Sequence, residues 1–217
     1  MIANHSILDS KESKMATQNN RFKILAFDPG LTTTGYSLLE GSLDSTNITV
    51  IKLGSIHPGP VVDRKEYRED VDKFDKRVIT LAYLREQVTK LVGELKPDVI
   101  VAEDIFINPH RPMAYGALCM WLSTVRMTCR DNFQKYVFAI PTKICKKVLS
   151  GRGDSGKLTV QECVKANTHI KFKFAEDQMH MTEHQADSIA VANALFVMYH
   201  DVIEKEIEAR NGQTTGK

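Results

Sequence analysis

The chain has 217 residues, 42% of them apolar and 26% charged, which is ordinary globular usage. That composition excludes collagen-like, low-complexity and wholly disordered chains, and the length predicts a single domain. The 29 Lys and Arg against 27 Asp and Glu leave +2, which argues against a histone-like or tail-driven binder of nucleic acid.

Residues 1–20 are polar and aperiodic and read as a disordered extension, with the folded domain expected over 21–208 and a flexible tail over 209–217. The start lacks the cationic and apolar segments of a signal peptide, and no apolar run approaches the ~18 residues of a membrane span. Cys119, Cys129, Cys145 and Cys163 form no C-x-x-C pair. Free thiols in a cytoplasmic, intracellular protein without membrane contact are therefore expected.

Order begins at Phe22. FKILAFD is a continuously apolar run closed by Asp28-Pro29-Gly30, which predicts a buried strand ending in a turn. TGYSLLE (34–40) and NITVIKLGSI (47–56) complete an antiparallel meander. From His57 to Lys76 the signs of charge alternate, the pattern of a solvated loop leading into a helix. Val78, Leu81, Leu84, Val88, Leu91, Val92 and Leu95 recur at helical spacing, and DVIVAE then forms a second buried strand ending at Glu103. Strand, helix, strand in that order favours parallel pairing.

Pro112–Arg130 reads as a helix, YVFAI (136–140) as a short strand, and Pro141-Thr142 as the start of a short helix. A glycine-rich loop spans Ser150 to Gly156, followed by a helix from Leu158 towards Asn167. The last helical pattern runs from about Glu183 to Glu208, with Ala186, Ile189, Ala190, Ala194, Leu195, Val197 and Met198 facing inward.

Asp28 and Glu103 each end a buried strand, where an ionised carboxylate must be paired or bind a cation. If the two strands are neighbours, the carboxylates converge at one edge of the sheet. His184 and Asp187, three apart at the start of the last helix, share one helical face. Asp28, Glu103, Asp187 and His184 together are a donor set for hard divalent cations. Mg²⁺ takes few carboxylates plus phosphate oxygens, and two ions stabilise both the attacking and the leaving oxygen of a displacement.

ILAFDPGLTTTGYSLLE, VIVAEDIF and EHQADSIAVANAL resemble the three acidic motifs of the RuvC-type Holliday-junction resolvases. The resemblance spans about Phe22 to Met198 and rests on Asp-Pro-Gly-x4-Gly-Tyr and His-x-x-Asp-Ser-x-Ala. It implies a ribonuclease H-like α/β fold: a mixed five-stranded sheet flanked by helices. It further implies a homodimer that resolves four-way DNA junctions in recombination and repair. Paired, Mg²⁺-dependent hydrolysis, with two ions per site and Mn²⁺ as a substitute, would leave 5′-phosphate ends. On this resemblance Asp28, Glu103 and Asp187 are metal ligands, and His184 is either a ligand or the general base. Phe106 matches an aromatic that stacks near the junction centre, with a core phenylalanine as its other reading. Residues 1–20 and the charged stretch from Asp63 to Lys76 have no counterpart in the family pattern.

Between Lys135 and Lys173 nine basic residues face two acidic ones, a local +7 hidden within the overall +2. Phosphate neutralisation by such residues supplies sequence-independent DNA affinity. Lys146 and Lys157 match DNA-contacting lysines of the family, and Arg152 joins them from the same segment. The helix at Pro112–Arg130, apolar on more than one face through Met113, Leu118, Met120, Trp121, Leu122 and Val125, is either the dimer surface or core.

Two motifs are decoys. Gly151 to Lys157 approaches a phosphate-binding P-loop but is followed by Leu158 rather than Ser or Thr, and an amphipathic helix precedes it. His180-Met-Thr-Glu183-His184 fits H-x-x-E-H, but His180 lies upstream of the expected helix start. The remaining alternatives keep the fold and change the substrate: flaps, forks and Y-shaped DNA, or RNA. A non-enzymatic junction binder has no use for converging carboxylates that repel phosphate.

Overall fold

The computed structural model describes residues 20–59, 63–107, 112–154 and 156–214. The expected disordered extension therefore lies, up to residue 19, outside the described residues. Three strands, β1 (Arg21–Asp28), β2 (Thr34–Ser42) and β3 (Ile48–Ile56), form the expected antiparallel meander. A 3₁₀ turn (Lys65–Tyr67), helix α1 (Arg68–Phe74) and helix α2 (Lys76–Leu95) follow. The charged stretch is thus helical rather than a loop, and neither the 3₁₀ turn nor α1 buries a side chain. Asp75 caps α2 by accepting the Arg77 amide at 2.7 Å. Lys96 ends it in the left-handed conformation, φ 48°, just before Pro97.

Strand β4 (Val99–Asp104), helix α3 (Pro112–Phe133), strand β5 (Val137–Pro141), helix α4 (Thr142–Ser150) and helix α5 (Lys157–Ala166) come next. Strand β6 (Ile170–Phe172) and helices α6 (Ala175–His180), α7 (Glu183–Met198) and α8 (His200–Thr214) complete the chain. The strand order is β5-β4-β1-β2-β3-β6, a mixed sheet of six strands. The five-stranded expectation missed β6, which pairs in parallel with β3 through Ile48 and Ile170. The architecture otherwise resembles the ribonuclease H-like topology, a central sheet flanked by helices.

Side chains alternate across the strands and split the core in two. Leu25, Phe27 and Ile100 face α2 and α3, while Phe22, Ile24 and Val101 face α4, α5, α7 and α8. The last helical pattern is broken at Tyr199 into α7 and α8, and Val197 and Met198, expected inward, are each 56% exposed. Helix α8 runs to Thr214, past residue 208, and Arg210 ties it to Asp98 and to the Arg21 carbonyl. All four cysteines carry free thiols, and among the described residues no helix is long and apolar enough to cross a membrane.

Candidate active site

Strands β1 and β4 pair in parallel with Phe27 opposite Ala102, so Asp28 and Glu103, the next residue of each, lie side by side at the C-terminal edge of the sheet. Asp28 is only 6% exposed. Across the sheet it pairs with Gly35 of β2, and α7 is seated directly on that glycine. A Cβ at Gly35 would stand 2.8 Å from His184 Cβ and closer still to the His184 carbonyl. A capping box fixes the start of α7: the Gln185 amide donates to Thr182 Oγ1 at 3.3 Å, and the Thr182 amide donates to Gln185 Oε1 at 2.9 Å. His184 Nδ1 then lies 2.6 Å from Asp28 Oδ2.

The structure joins the four proposed residues in pairs: His184 meets Asp28, and Asp28 and Asp187 each lie near enough to Glu103 for their charge to act on it. Burial first, then the charge of Asp28 and more weakly that of Asp187, push the Glu103 carboxyl from 4.5 up to about 8. The Thr142 hydroxyl opposes that shift. Its Oγ1 is buried and meets no partner at hydrogen-bond geometry among the described residues. Thr142 was not anticipated, because its place depends on β5 lying beside β4, with Asp104 opposite Pro141. Behind the carboxylates, burial and the charges of Glu103 and Asp187 push the Cys145 thiol up to about 12. That neutral thiol is a packing group, not a ligand or nucleophile.

A carboxyl that holds its proton more tightly folded than unfolded favours the fold only while protonated, so its contribution declines as pH rises from about 4.5 through about 8. Glu103→Gln, a mimic of the protonated form, is expected to be more stable than wild type at about pH 9, by about 2–4 kcal/mol. The gain should vanish near pH 4, where both forms are neutral, and thermal unfolding in chelator at the two pH values measures it. A gain of equal size at both would contradict the assignment.

Crowding of this kind suits a hard divalent cation in donor chemistry: carboxylate oxygens from two strand ends and a helix start, with an imidazole beside them. As the side chains stand, no group of three His, Cys, Asp or Glu among the described residues is disposed to hold an ion. His184 occupies one oxygen of Asp28 instead.

Beyond Glu103 the chain leaves β4 over an open groove of about 430 Å³, whose lining includes Phe106, Ile107, Thr142, Lys143 and Lys146. Phe106 is 60% exposed, which overturns its reading as a core residue. Lys146 lines the same groove as Phe106. Arg152 is paired with Asp154 at 3.3 Å on the surface. Lys157 heads α5, and its side chain lies outside those described. The basic segment is not one patch: Lys135 bonds the Asp98 carbonyl, Lys171 lies within the edge strand β6, and Lys173 directly follows it. In α3, Trp121, Leu122 and Val125 are core, which removes them from any dimer surface, while Met113 stays 78% exposed. The decoys fail structurally, since helix α4 precedes the glycine loop and His180 and His184 sit on different helices.

No protein-family model matches the chain. The crossover junction endodeoxyribonuclease RuvC of Ehrlichia chaffeensis is 29% identical over 170 residues, covering 78% of this chain and 93% of that protein. That of Caldicellulosiruptor saccharolyticus is 22% identical over 186 residues, covering 86% and 99%. Among solved structures, Thermus thermophilus RuvC in complex with Holliday junction substrate superposes with a TM-score of 0.60 at 18% identity, covering 80% of this chain and 92% of that one. In sequence and in fold alike, the chain is therefore a distant relative of the RuvC-type resolvases, consistent with the ribonuclease H-like superfamily.

Proposed function

We propose that this protein is a structure-selective endodeoxyribonuclease that resolves four-way DNA junctions by metal-dependent phosphodiester hydrolysis, in recombination and repair. The observation that carries the reading is the convergence of Asp28, Glu103, Asp187 and His184 at one sheet edge beside the groove of Phe106 and Lys146. Asp28, Glu103 and Asp187 would hold Mg²⁺, two ions per site with Mn²⁺ as substitute, and His184 adjoins them. Such ions supply Lewis-acid activation of water and neutralise charge on the phosphoryl group.

The chain's own groups do the rest. Asp28 lies against His184 Nδ1 and Glu183 Oε1 stands 3.8 Å from the same ring's Nε2, so carboxylates flank an imidazole that would take the proton of the attacking water. Water oxygen bonds to phosphorus in line as the bond to the 3′-oxygen breaks, leaving a 5′-phosphate and a 3′-hydroxyl. Phe106 offers an exposed ring for stacking on an unpaired base at the branch, and Lys143 and Lys146 offer charge to the backbone. Arg152 and Lys157, on either side of the glycine loop in sequence, are proposed to add to that charge. Two active sites are needed for paired incisions in a two-fold junction, hence a homodimer. The exposed methionines of α3, Met113 among them, are its proposed surface.

Lys146→Ala should weaken junction binding similarly for all sequences and lower the slope of log K on log salt by about 1. Filter binding at several salt concentrations reads this, and an unchanged slope removes Lys146 from the contacts. A cleavage panel in Mg²⁺ tests the whole reading, with four-way junction, flap, Y-fork, linear duplex and RNA:DNA hybrid. Cutting confined to the junction is expected. Equal cutting of every branched substrate would replace the resolvase by a looser nuclease, and preference for the hybrid by an RNA-directed one.

A further inference from the structure

We infer that Trp121 is a positioning residue for the acidic centre: through Thr34 it holds the turn that carries Asp28 and sets how tightly that centre takes a divalent cation. The inference deepens the metal-dependent reading above and rests on it. Trp121 is the sole tryptophan of the chain and is fully buried, on α3, a helix that contributes none of the four acidic-centre residues. Its indole Nε1–H donates to Thr34 Oγ1 at 2.9 Å. The Thr34 hydroxyl, itself 0% exposed, donates onward to the Gly30 carbonyl at 2.7 Å. An indole N–H can only donate, so the direction of this two-bond chain is fixed, and it ends two residues beyond Asp28.

The same ring also grips the other side of Asp28. Phe27, the residue before it, meets the indole edge-on, with centroids 5.9 Å apart and planes at 68°. Trp121 thus reaches Asp28 from both chain directions, through packing on Phe27 and through hydrogen bonds to Gly30. Thr34 further precedes Gly35, the seat of His184, so both partners of the Asp28–His184 bond hang on one buried relay. Packing alone would be served by any large apolar side chain. The pair of hydrogen bonds instead immobilises the turn, as partners behind a ligand do, and loss of such partners weakens metal binding by about 10–100-fold.

The test uses the full chain and Mg²⁺ alone, without DNA. Calorimetric titration should give Mg²⁺ affinities about 10–100-fold weaker for Trp121→Phe and Thr34→Val than for wild type. Thr34→Ser, which keeps the hydroxyl, should stay within about 3-fold. Emission of the single tryptophan should change along the wild-type titration with the calorimetric midpoint, and that change should be lost in Asp28→Asn. Thermal unfolding checks that each variant is folded. If Thr34→Val does not fold, Trp121→Phe, which stays aromatic but loses the five-membered ring with its N–H donor, decides. Wild-type affinity in folded Trp121→Phe, a wild-type chain that takes no Mg²⁺, or emission unchanged at saturation would each overturn the inference. Intact four-way junction after incubation with enzyme and Mg²⁺ is a separate result, which would sink the resolvase reading and leave the positioning role standing.

Discussion

Asp28→Asn is expected to lose junction cleavage by about 10³-fold or more while binding four-way DNA at least as well as wild type. Its carboxylate stands where β1 ends, buried to 6% exposure, and shares the site with Glu103 and Asp187. Replacing it by a neutral amide removes the anionic oxygen that is proposed to bind metal and leaves His184 a neutral acceptor in place of a charged one. Loss of about 4 kcal/mol of charge stabilisation corresponds to the stated factor. On the proposed reading DNA affinity rests elsewhere, on Lys143, Lys146 and Phe106 along the groove, and one fewer negative charge beside a phosphate does not weaken it. Single-turnover cleavage and equilibrium binding of the same labelled junction separate the two effects. Parallel loss of binding would mean that Asp28 supports the fold rather than the chemistry.

Gly35→Ala carries the second large effect. No turn demands a glycine here. The demand is space, since the added methyl would overlap the His184 carbonyl and approach its Cβ at 2.8 Å. The obstacle is helix backbone, which cannot rotate aside as a side chain can, so α7 or the edge of β2 must shift. Overpacking of this kind costs about 1–3 kcal/mol. Misplacing a catalytic group by about 1 Å costs about 10²-fold in rate. A lowered melting temperature together with a cleavage rate reduced to that degree is the expected pair of results. Wild-type melting and wild-type cleavage would show that α7 is not seated on Gly35 as described.

The acidic centre was legible because its members interrupt simple patterns. A carboxylate at the end of FKILAF or VIVA has no packing reason to be there, and His184 with Asp187 opens a helix that is mostly apolar from Ile189 onward. The convergence of Asp28 and Glu103 was conditional on their strands being neighbours, and the parallel pairing of β1 with β4 meets that condition. What could not be read depended on third parties. Thr142 reaches Glu103 only because β5 adds beside β4, and Gly35 matters only because α7 crosses back onto β2.

Strand β6 was within reach and was obscured. Ile170, Phe172 and Phe174 alternate with Lys171 and Lys173, a period of two, but the lysines drew the segment into a charge count. The same count joined residues that the fold disperses, from Lys135 at the Asp98 carbonyl to Lys143 and Lys146 in the groove. The break between α7 and α8 at Tyr199 carries no Gly or Pro, the residues that punctuate a helix in sequence. Helix α3 shows the limit of amphipathicity. Apolar side chains on more than one face left its inward side undetermined until Trp121 was found bonded to Thr34.

Mapping the incisions on a four-way junction with a mobile centre, in Mg²⁺ and with limiting enzyme, tests the central claim most directly. Two nicks at symmetry-related positions in opposing strands are predicted, with products that DNA ligase seals without prior phosphorylation. A nick in one strand only, asymmetric cuts, or ends that need a kinase before they can be sealed would contradict it.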